Sequence, residues 1–435
     1  MNKKDIMTNR LNLSQHLSGL CRLEWAACFI LSAFAVCGSA ESASLSLKVE
    51  QITFGPRHHF FGYIGQSKTI PWNAGGRYIL ALRVGYHDHM PGPGDAADVV
   101  LIDTEQANKV VRVDQTRAWN FQQGTMFYWN PASPRTQFFF NDRDPATNRI
   151  YTVLFDIGKN KRLREFRYPD TPVGNSGVAQ DGSAFLAINY GRMARLRPVT
   201  GYPGGFDWTT GQKAPDSDGI FIIDPQSGEK RLLVSFRKLA ELVRPTEPDV
   251  DKASLYINHT LWNRPGDRIY FYVRGRLDRS SMKINVPCTI KPDGTALTAH
   301  STFIGGHPEW GRGNRIIGQK GDRQVLYDVD KKEIVGRIAT PEIIPKPGGD
   351  ISLSPDANWF VNGFGSKDGK NYYVFVRRAD GAHIRSQGFS RGPYLSGELR
   401  IDPAPRWNRT NDAILVPGYT EEGTRQMFII RISEK

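Results

Sequence analysis

Two adjacent histidines stand in the stretch Arg57–Gly76, which reads RHHFFGYIGQSKTIPWNAGG. Histidine changes charge near neutral pH, so one of these imidazoles could act as a general base in catalysis. Neighbouring side chains of a strand point to opposite faces. We therefore expect His59 to face a site as its base, while His58 packs between sheets. The alternative is that both histidines only help to build a repeated structural unit.

Histidines also supply a candidate metal site. Four of the nine histidines stand in short segments ahead of strand-like runs, namely His58, His59, His259 and His307. Neutral imidazole and carboxylate groups suit zinc or manganese, so His259, His307 and Asp350 are candidate ligands of one divalent ion. Cys288 is a further, softer candidate. Because no closely spaced pair such as H-x-H marks the site, hydrogen-bonded core histidines remain the alternative.

A third group with chemical potential is the segment NYGRMARLRPVTGY, residues 189–202. It brings together Tyr190, Arg192, Arg195, Arg197 and Tyr202. Guanidinium groups can bind a carboxylate through two parallel hydrogen bonds, so this segment could hold an acidic substrate. The alternative is a loop of solvated charges without a specific partner.

A repeated unit of strands must position these residues. Seven segments of roughly fifty residues each combine a short opening strand, a polar turn and three further strands. GIFIIDPQSGEK is one example of a third strand. This pattern predicts an all-β fold, a seven-bladed β-propeller, as a single domain over residues 44–435. The opening strands then meet around one axis, where we expect His58, His59, Gln122, Gln123, Asn258, His259, His307, Asp350 and Arg400.

Ring closure is expected to involve the N-terminal segment. The chain ends at Lys435, directly after the third strand of the seventh unit, so that the last blade lacks an outer strand. Residues 44–54, SLSLKVEQITF, alternate apolar and polar side chains and could supply it. Such pairing would remove an exposed sheet edge.

The first forty residues differ from the rest of the chain. A basic start precedes the apolar run Trp25–Val36, which is shorter than the roughly 20 residues of a membrane span. We therefore expect residues 1–40 to be a cleaved export signal and not a membrane span. The protein would then be periplasmic or secreted. Lipoprotein anchoring at Cys37 is the minor alternative. Cys288 would then be the only cysteine of the mature chain, so no intrachain disulfide is expected.

The charge of the chain favours an anionic partner. The formal net charge is +13, and residues 41–435 carry +11, with 53 basic and 42 acidic side chains. For an exported protein, an acidic polysaccharide is a more probable polyanion than nucleic acid, which we do not expect as a partner. We also expect a monomer. A basic surface without a specific partner is the alternative.

Several motifs in order resemble a known family. The chain contains PWNAGGRYILAL, TRAWNFQQGTMFYW, NYGRMARLRP, INHTLWNRPGDRIYFYVR, GHPEW and ISLSPDANWFV. Together these motifs resemble exported β-propeller polysaccharide lyases that cleave ulvan and, more distantly, oligogalacturonate lyases. The resemblance covers nearly the whole chain after residue 43. It implies cleavage of a uronic-acid-containing polysaccharide by β-elimination, with no organic cofactor and at most a metal ion.

The resemblance also implies roles for individual residues. His59 would be the base, Tyr190 the acid, and Arg197 or Arg192 would neutralise the uronate carboxylate. The remaining candidates would contact substrate: His58, Gln122, Gln123, Asn141, Arg192, Arg195, Tyr202 and Arg400. This chain departs from the family pattern where histidines are expected, because it has Gln122, Gln123, Asn141 and Asp142 in one region, and Asp350 and Ala404 in another.

These departures leave two functions open. The first is a polysaccharide lyase whose catalytic groups have moved to other positions. The second is a glycan-binding or envelope scaffold propeller without catalytic activity. A hydrolase is a third interpretation, but it requires paired carboxylates, and the sequence places only Asp350 at the axis.

Overall fold

The structure is a computed structural model that describes residues 44–62, 69–277 and 283–434. The expected export signal, residues 1–40, and Cys37 lie outside the described residues. Among the described residues, no helix has the length and apolar character that a membrane span requires. Secretion and oligomeric state stay predictions.

The described chain forms a β-propeller built almost entirely of antiparallel sheets. The first strand, β1, spans Leu45–Gln51. The next sheet contains β2–β5, at His58–Phe60, Tyr78–Val84, Ala97–Asp103 and Lys109–Thr116. The sheet after it contains β6–β9, at Tyr128–Trp129, Gln137–Arg143, Ile150–Asp156 and Lys161–Phe166.

Two further four-stranded sheets follow in chain order. One contains β10–β13, at Gly174–Val178, Phe185–Ile188, Gly219–Ile223 and Lys230–Ser235. The other contains β14–β17, at Ser254–Trp262, Ile269–Arg276, Lys283–Ile290 and Thr298–Ala299. Helix α1, Tyr190–Leu196, lies between β11 and β12, and helix α2, Phe236–Val243, follows β13. Two 3-10 turns span Pro198–Thr200 and Val250–Lys252.

The remaining strands form a nine-stranded sheet and a last four-stranded sheet. The nine strands are β18–β26, at Gly305–Trp310, Arg315–Lys320, Arg323–Asp328, Glu333–Ile338, Asp350–Leu353, Trp359–Gly365, Lys370–Arg377, His383–Arg385 and Phe389–Ser390. The last sheet combines β27–β29, at Arg406–Trp407, Ala413–Tyr419 and Arg425–Glu434, with β1.

The number of separate sheets differs from the sequence prediction. The propeller fold is confirmed, but seven separate four-stranded sheets are not observed: five sheets are four-stranded and one is nine-stranded. A parallel bridge between His307 on β18 and Asp350 on β22 joins what the sequence pattern predicts as two units. The prediction missed this join because repeat spacing carries no information about pairing between neighbouring units.

Strand β1 pairs with β29 along its whole length. The register runs antiparallel from Leu45 opposite Glu434 to Gln51 opposite Phe428. The alternating pattern of residues 44–54 predicted this location. That the pairing closes a ring is a proposal, which a deletion can test.

Tryptophan side chains connect neighbouring sheets. Four of them are at most 2% exposed: Trp119, Trp262, Trp310 and Trp407. Three donate their indole N–H to a carbonyl of the preceding inner strand, from Trp262 to Gly177, from Trp310 to Leu261 and from Trp407 to Ser352. A buried indole N–H needs such an acceptor, and the apolar ring fills the space between sheets. These bonds fix the inner strands relative to one another.

Candidate functional site

The first strands of the sheets bring His259 and His307 close together. His259 lies on β14 within a break of the β14–β15 register, between Asn258 and Leu261. Its backbone has a φ of 62°, a left-handed conformation that is uncommon for histidine. The His259 and His307 ring centroids are 5.6 Å apart, in an edge-to-face arrangement. Strain of this kind is often found at functional sites.

His259 is held in its neutral form. The residue is 9% exposed, and burial lowers its pKa well below the ordinary 6.5. The positive charges of His307, Arg274, Arg197 and Arg406 lower the pKa further, in that order. The pocket therefore combines a neutral imidazole with several cations, which is an environment that attracts an anion.

His307 has the opposite ionisation. Its Nδ1 lies 2.5 Å from Oδ1 of Asp350, and its side chain is 29% exposed. Burial alone would lower the His307 pKa, but the charge of Asp350 outweighs this effect and raises it above 6.5. Burial would raise the pKa of Asp350, but His307 lowers it below its ordinary value. Both shifts favour an ion pair of imidazolium and carboxylate over the neutral pair.

A second carboxylate lies near this ion pair. Burial raises the pKa of Asp402, and the negative charge of Asp350 raises it further, whereas Arg400 opposes the shift. Nε of Arg400 donates a 2.8 Å hydrogen bond to Asp402. Arg400 thus lies near His307, and its guanidinium is already engaged by Asp402, so its role in substrate binding stays a prediction. Sequence reasoning missed Asp402, four residues before Arg406 in the segment IDPAPRW.

Arg197 has a guanidinium nitrogen without a hydrogen-bond partner in the described part of the chain. It follows α1, and its buried Nε finds no hydrogen-bond partner among the described residues. Arg274, by contrast, donates from Nε to Asn285 at 3.0 Å. A buried donor without a partner calls for an explanation, and a bound anion would supply one. Arg274 and Arg406 escaped the sequence analysis because nothing in their spacing sets them apart from surface arginines.

The donors present do not fit a metal ion well. In the described part of the chain, no three His, Cys, Asp or Glu side chains are grouped as a metal site would require. Nδ1 of His307 and Oδ1 of Asp350 already contact each other, and Oδ2 of Asp350 accepts the N–H of Ala404 at 2.8 Å. The sequence analysis brought His259, His307 and Asp350 together, but His307 and Asp350 engage each other as an ion pair.

Cys288 lies apart from these residues. It is fully buried on β16, within an apolar cluster that includes Trp262 and Phe271. Burial raises the pKa of its thiol to about 12, so it is protonated at neutral pH. A metal ligand must be a thiolate, so this part of the metal prediction is not supported by the surroundings of Cys288.

Tyr190, Tyr202 and Asn141 form a buried network next to α1. The two tyrosine rings stack with centroids 4.3 Å apart, and both residues are at most 1% exposed. Tyr190 donates to the carbonyl of Asn175 at 3.0 Å, and Asn141 donates to the Tyr202 hydroxyl at 3.1 Å. Burial raises the Tyr190 pKa well above 10. This burial favours a structural role over the predicted role of Tyr190 as the acid.

Arg192 and Arg195 are both occupied by other parts of the chain. Arg192 is 1% exposed, and its guanidinium donates to carbonyls of Leu255, Gln212 and Lys213. It therefore anchors β14 to the insertion after α1. Arg195 points outward and forms an ion pair of 2.9 Å with Asp207. Of the predicted arginine cluster, only Arg197 contributes its charge to the His259 pocket.

His58 and His59 lie between the first sheet and β29. Nδ1 of His58 accepts the backbone N–H of Arg425 at 3.0 Å, and His59 is hydrogen-bonded through Nδ1 to Gln426 Oε1 at 3.0 Å. Both are buried, at 8% and 3% exposure, and burial lowers the His59 pKa to about 4. These contacts favour the structural interpretation of the pair and make His259 the better candidate for the base.

Gln122 and Gln123 lie in a loop ahead of the short strand β6. Gln122 donates to the carbonyls of Glu398 and Arg400, at 3.3 and 2.8 Å. The backbone N–H of Gln123 donates to Oδ1 of Asn120 at 2.7 Å. The opening strand predicted here is instead a turn, because Asn120 and Gly124 pair with each other. Gln122 thus supports the loop that carries Arg400.

The assembled residues combine one imidazole whose pKa is lowered with one whose pKa is raised. Neutral His259 can accept a proton, and protonated His307 can donate one. Arginine charges act on the imidazole of His259. Pairs of titratable groups whose pKa values move in opposite directions mark acid and base assignments. For brevity, the name axial pocket is used below for His259, His307, Asp350, Arg197, Arg274 and Arg406.

Comparisons with known proteins show the fold and no family. No family model matches the sequence, and no curated protein matches it. An oligogalacturonate lyase in complex with manganese has a TM-score of 0.60 at 13% identity, covering 90% of this chain and 97% of that one. TolB from Acinetobacter baumannii has a TM-score of 0.39 at 11% identity, covering 89% and 96%. At these sequence identities the likeness concerns the fold alone. The TM-score of 0.39 for TolB is too low to support any argument.

Proposed function

We propose that this protein is a polysaccharide lyase that cleaves a uronic-acid-containing polysaccharide by β-elimination. The observation that carries the proposal is the pair His259 and His307, 5.6 Å apart, with pKa values shifted in opposite directions. The likeness in fold to an oligogalacturonate lyase is consistent with it. We also propose that the nine-stranded sheet counts as two blades, which gives seven, and that β1 closes the ring.

Binding of a uronate would begin with its carboxylate. Arg197, Arg274 and Arg406 supply positive charge beside His259, and Arg197 has a donor without a partner in the described chain. A guanidinium forms paired hydrogen bonds with a carboxylate. Neutralising that carboxylate makes the neighbouring C5 proton more acidic, because negative charge develops on the same group as the proton leaves.

The elimination step assigns one role to each imidazole. The lone pair of neutral His259 takes the C5 proton, the C5–H electrons form the C4–C5 double bond, and the C4–O bond breaks. The leaving oxygen takes a proton from the imidazolium of His307, whose charge Asp350 stabilises. Positioned acid and base groups of this kind typically contribute 10²- to 10⁴-fold each.

Binding of the substrate carboxylate would also change the pKa of His259. His259 in the free protein is a weak base, because burial and cations lower its pKa. A bound anion would cancel part of that positive charge and raise the His259 pKa toward the neutral range. The mechanism needs no metal, in keeping with the donor arrangement described above. A zinc or manganese ion remains testable by metal analysis of protein purified without chelators.

The experiment that tests this function is a substrate panel. Purified protein is incubated with ulvan, polygalacturonate and glycosaminoglycans while the ultraviolet absorbance of the unsaturated product is followed. Growth of that absorbance with one of these polymers supports the lyase. Binding without product would favour the second function, a glycan-binding propeller, for which the net charge of +13 is the supporting observation. Neither binding nor product would contradict both.

A further inference from the structure

A groove opens beside the axial pocket at the end of the propeller where the inner strands begin. Its cavity measures about 510 Å³. It lies between the two halves of the nine-stranded sheet and is lined by Gln319, Asp322, Pro345, Lys346, Pro347, Gly348, Gly349, Phe364 and Gly365. A volume of this size is in the range of small-molecule ligand sites. We call this feature the lateral groove.

The lateral groove is continuous with the axial pocket along the chain. Gly348 and Gly349 line the groove and directly precede Asp350, which contacts His307 in the pocket. Gly306 directly precedes His307, and a Cβ built on it would lie 3.2 Å from the Cα of Gly348. The groove floor and the His307–Asp350 ion pair therefore lie at the N-terminal ends of the same two strands, β18 and β22.

An exposed aromatic side chain stands where groove and pocket meet. Phe303 is 38% exposed, and its ring centroid lies 5.7 Å from that of Tyr272, which is 6.5 Å from the ring of His259. A Cβ built on Gly305 would lie 3.2 Å from Phe303 Cε1 and 3.7 Å from Gln319 Oε1. Phe303 thus adjoins both the groove residue Gln319 and the site.

Two glycines of the groove lining allow neighbouring segments to approach closely. A Cβ at Gly348 would lie 2.5 Å from Gln319 Oε1, and one at Gly349 would lie 2.0 Å from the carbonyl oxygen of Gly363. A Cβ at Gly349 would therefore collide with the backbone of β23, whereas one at Gly348 would meet only the end of the Gln319 side chain. Lys346 on the rim is exposed, and its ammonium donates to the carbonyl of Gly365 at 2.7 Å.

We propose that the lateral groove binds the sugar units next to the one held in the axial pocket, with Phe303 stacking against a sugar ring. Pyranose rings present apolar C–H faces, which pack on an exposed aromatic ring, and Lys346 offers a cation to a flanking acidic group. The protein then acts on polymer segments rather than on isolated disaccharides. This inference rests on the proposed function, since it assumes that the pocket takes a uronate.

Chain length is the variable that tests the groove. Dissociation constants and KM are measured for ulvan and polygalacturonate fragments of two and six sugar units. With wild-type protein, the longer fragment is expected to bind at least about tenfold more tightly. Phe303→Ala should weaken binding of the six-unit fragment about five- to tenfold, because one aromatic contact is worth roughly this much.

A matched control and a second variant complete the test. Phe206, 37% exposed on another loop, has nearly the same exposure as Phe303, so that Phe206→Ala should change neither fragment. Gly348 is exposed and its backbone is not left-handed, so the substitution Gly348→Leu should not strain the backbone. The leucine should fill the groove and remove the tighter binding of the six-unit fragment. Circular dichroism and melting curves check that each variant folds.

The outcomes separate the groove from the reaction. Length-dependent binding that needs Phe303, without any elimination, supports the groove and overturns the proposed reaction. Elimination with equal affinity for both fragments, or equal losses in Phe303→Ala and Phe206→Ala, overturns the groove and leaves the reaction standing. No binding of any fragment overturns both.

Discussion

At the scale of single residues, the surroundings of each imidazole decide its ionisation. His259 is surrounded by cations and buried, so its pKa is lowered, whereas His307 faces Asp350 and its pKa is raised. The same residue type is therefore shifted in opposite directions, and in the proposed reaction it supplies both the base and the acid. His59, hydrogen-bonded to Gln426 between two sheets, has neither role in this arrangement.

Arg197 gives a prediction with a matched control on the same segment. Arg197→Met should lower kcat/KM on the acidic polysaccharide by about 10²-fold or more, because one donor to developing charge is removed. Arg195→Met should change it less than about threefold, since Arg195 points outward to Asp207. Both rates are measured from product absorbance. Equal losses in the two variants would contradict the assignment of Arg197.

His59 gives a prediction about stability. His59→Ala removes the partner of Gln426 Oε1 and should cost about 1–3 kcal/mol of unfolding free energy, measured with denaturant. The activity of the folded fraction should remain. Lost activity with unchanged stability would restore His59 as the base.

The same residue links stability to pH. Its folded pKa of about 4 lies below the ordinary 6.5, so the unfolded state binds the proton more readily between these values. This contribution to stability is present above pH 6.5 and falls as the pH decreases toward 4. The difference in unfolding free energy between wild type and His59→Ala should therefore shrink on acidification. A difference that grows would contradict the buried neutral state.

Residue positions could be predicted from the sequence, but their surroundings could not. The spacing of inner strands correctly brought His259, His307 and Asp350 together. The cations around His259 include Arg274, which comes from β15 and follows a strand pattern without a distinguishing motif. Long-range packing decides which guanidinium groups reach the pocket.

At the scale of elements, short inner strands explain where the sequence interpretation differed. Strands β6 and β27 contain only two residues each, Tyr128–Trp129 and Arg406–Trp407. Prolines at 403 and 405 precede β27 and cannot donate ladder hydrogen bonds. The segments that carry Gln122 and Arg400 are therefore loops. The long third strands were easier to predict, because their alternation extends over more residues.

The N-terminal strand gives a prediction at this scale. Deleting residues 45–51 removes β1 and leaves the outer edge of β29 unpaired, so the melting temperature should fall by at least about 4 °C. Ser46→Ala is the control, because it removes only an exposed hydrogen bond of 2.8 Å to Ser433. A truncated protein with the wild-type melting temperature would contradict a closing role for β1.

At the scale of the whole molecule, net charge predicts a dependence on salt. With +11 on residues 41–435, affinity for an acidic polysaccharide should fall steeply between 50 and 500 mM NaCl, since exposed charges more than about 8 Å apart are screened at 0.15 M. Isothermal titration at several salt concentrations measures this slope. Salt-independent affinity would show that apolar stacking dominates instead.

The propeller as a whole explains how distant segments form one pocket. The histidines and Asp350 lie on first strands of the sheets, β14, β18 and β22, whereas Arg197 follows α1 and Arg274 lies on β15. The central claim is that His259 in this pocket removes a proton from a uronate.

The most direct measurement compares product formation by wild type and His259→Asn, since asparagine tolerates the left-handed backbone at this position. We predict that wild type generates unsaturated product from an acidic polysaccharide, and that His259→Asn lowers kcat by at least about 100-fold at an unchanged melting temperature. A variant that retains the wild-type rate would contradict the account.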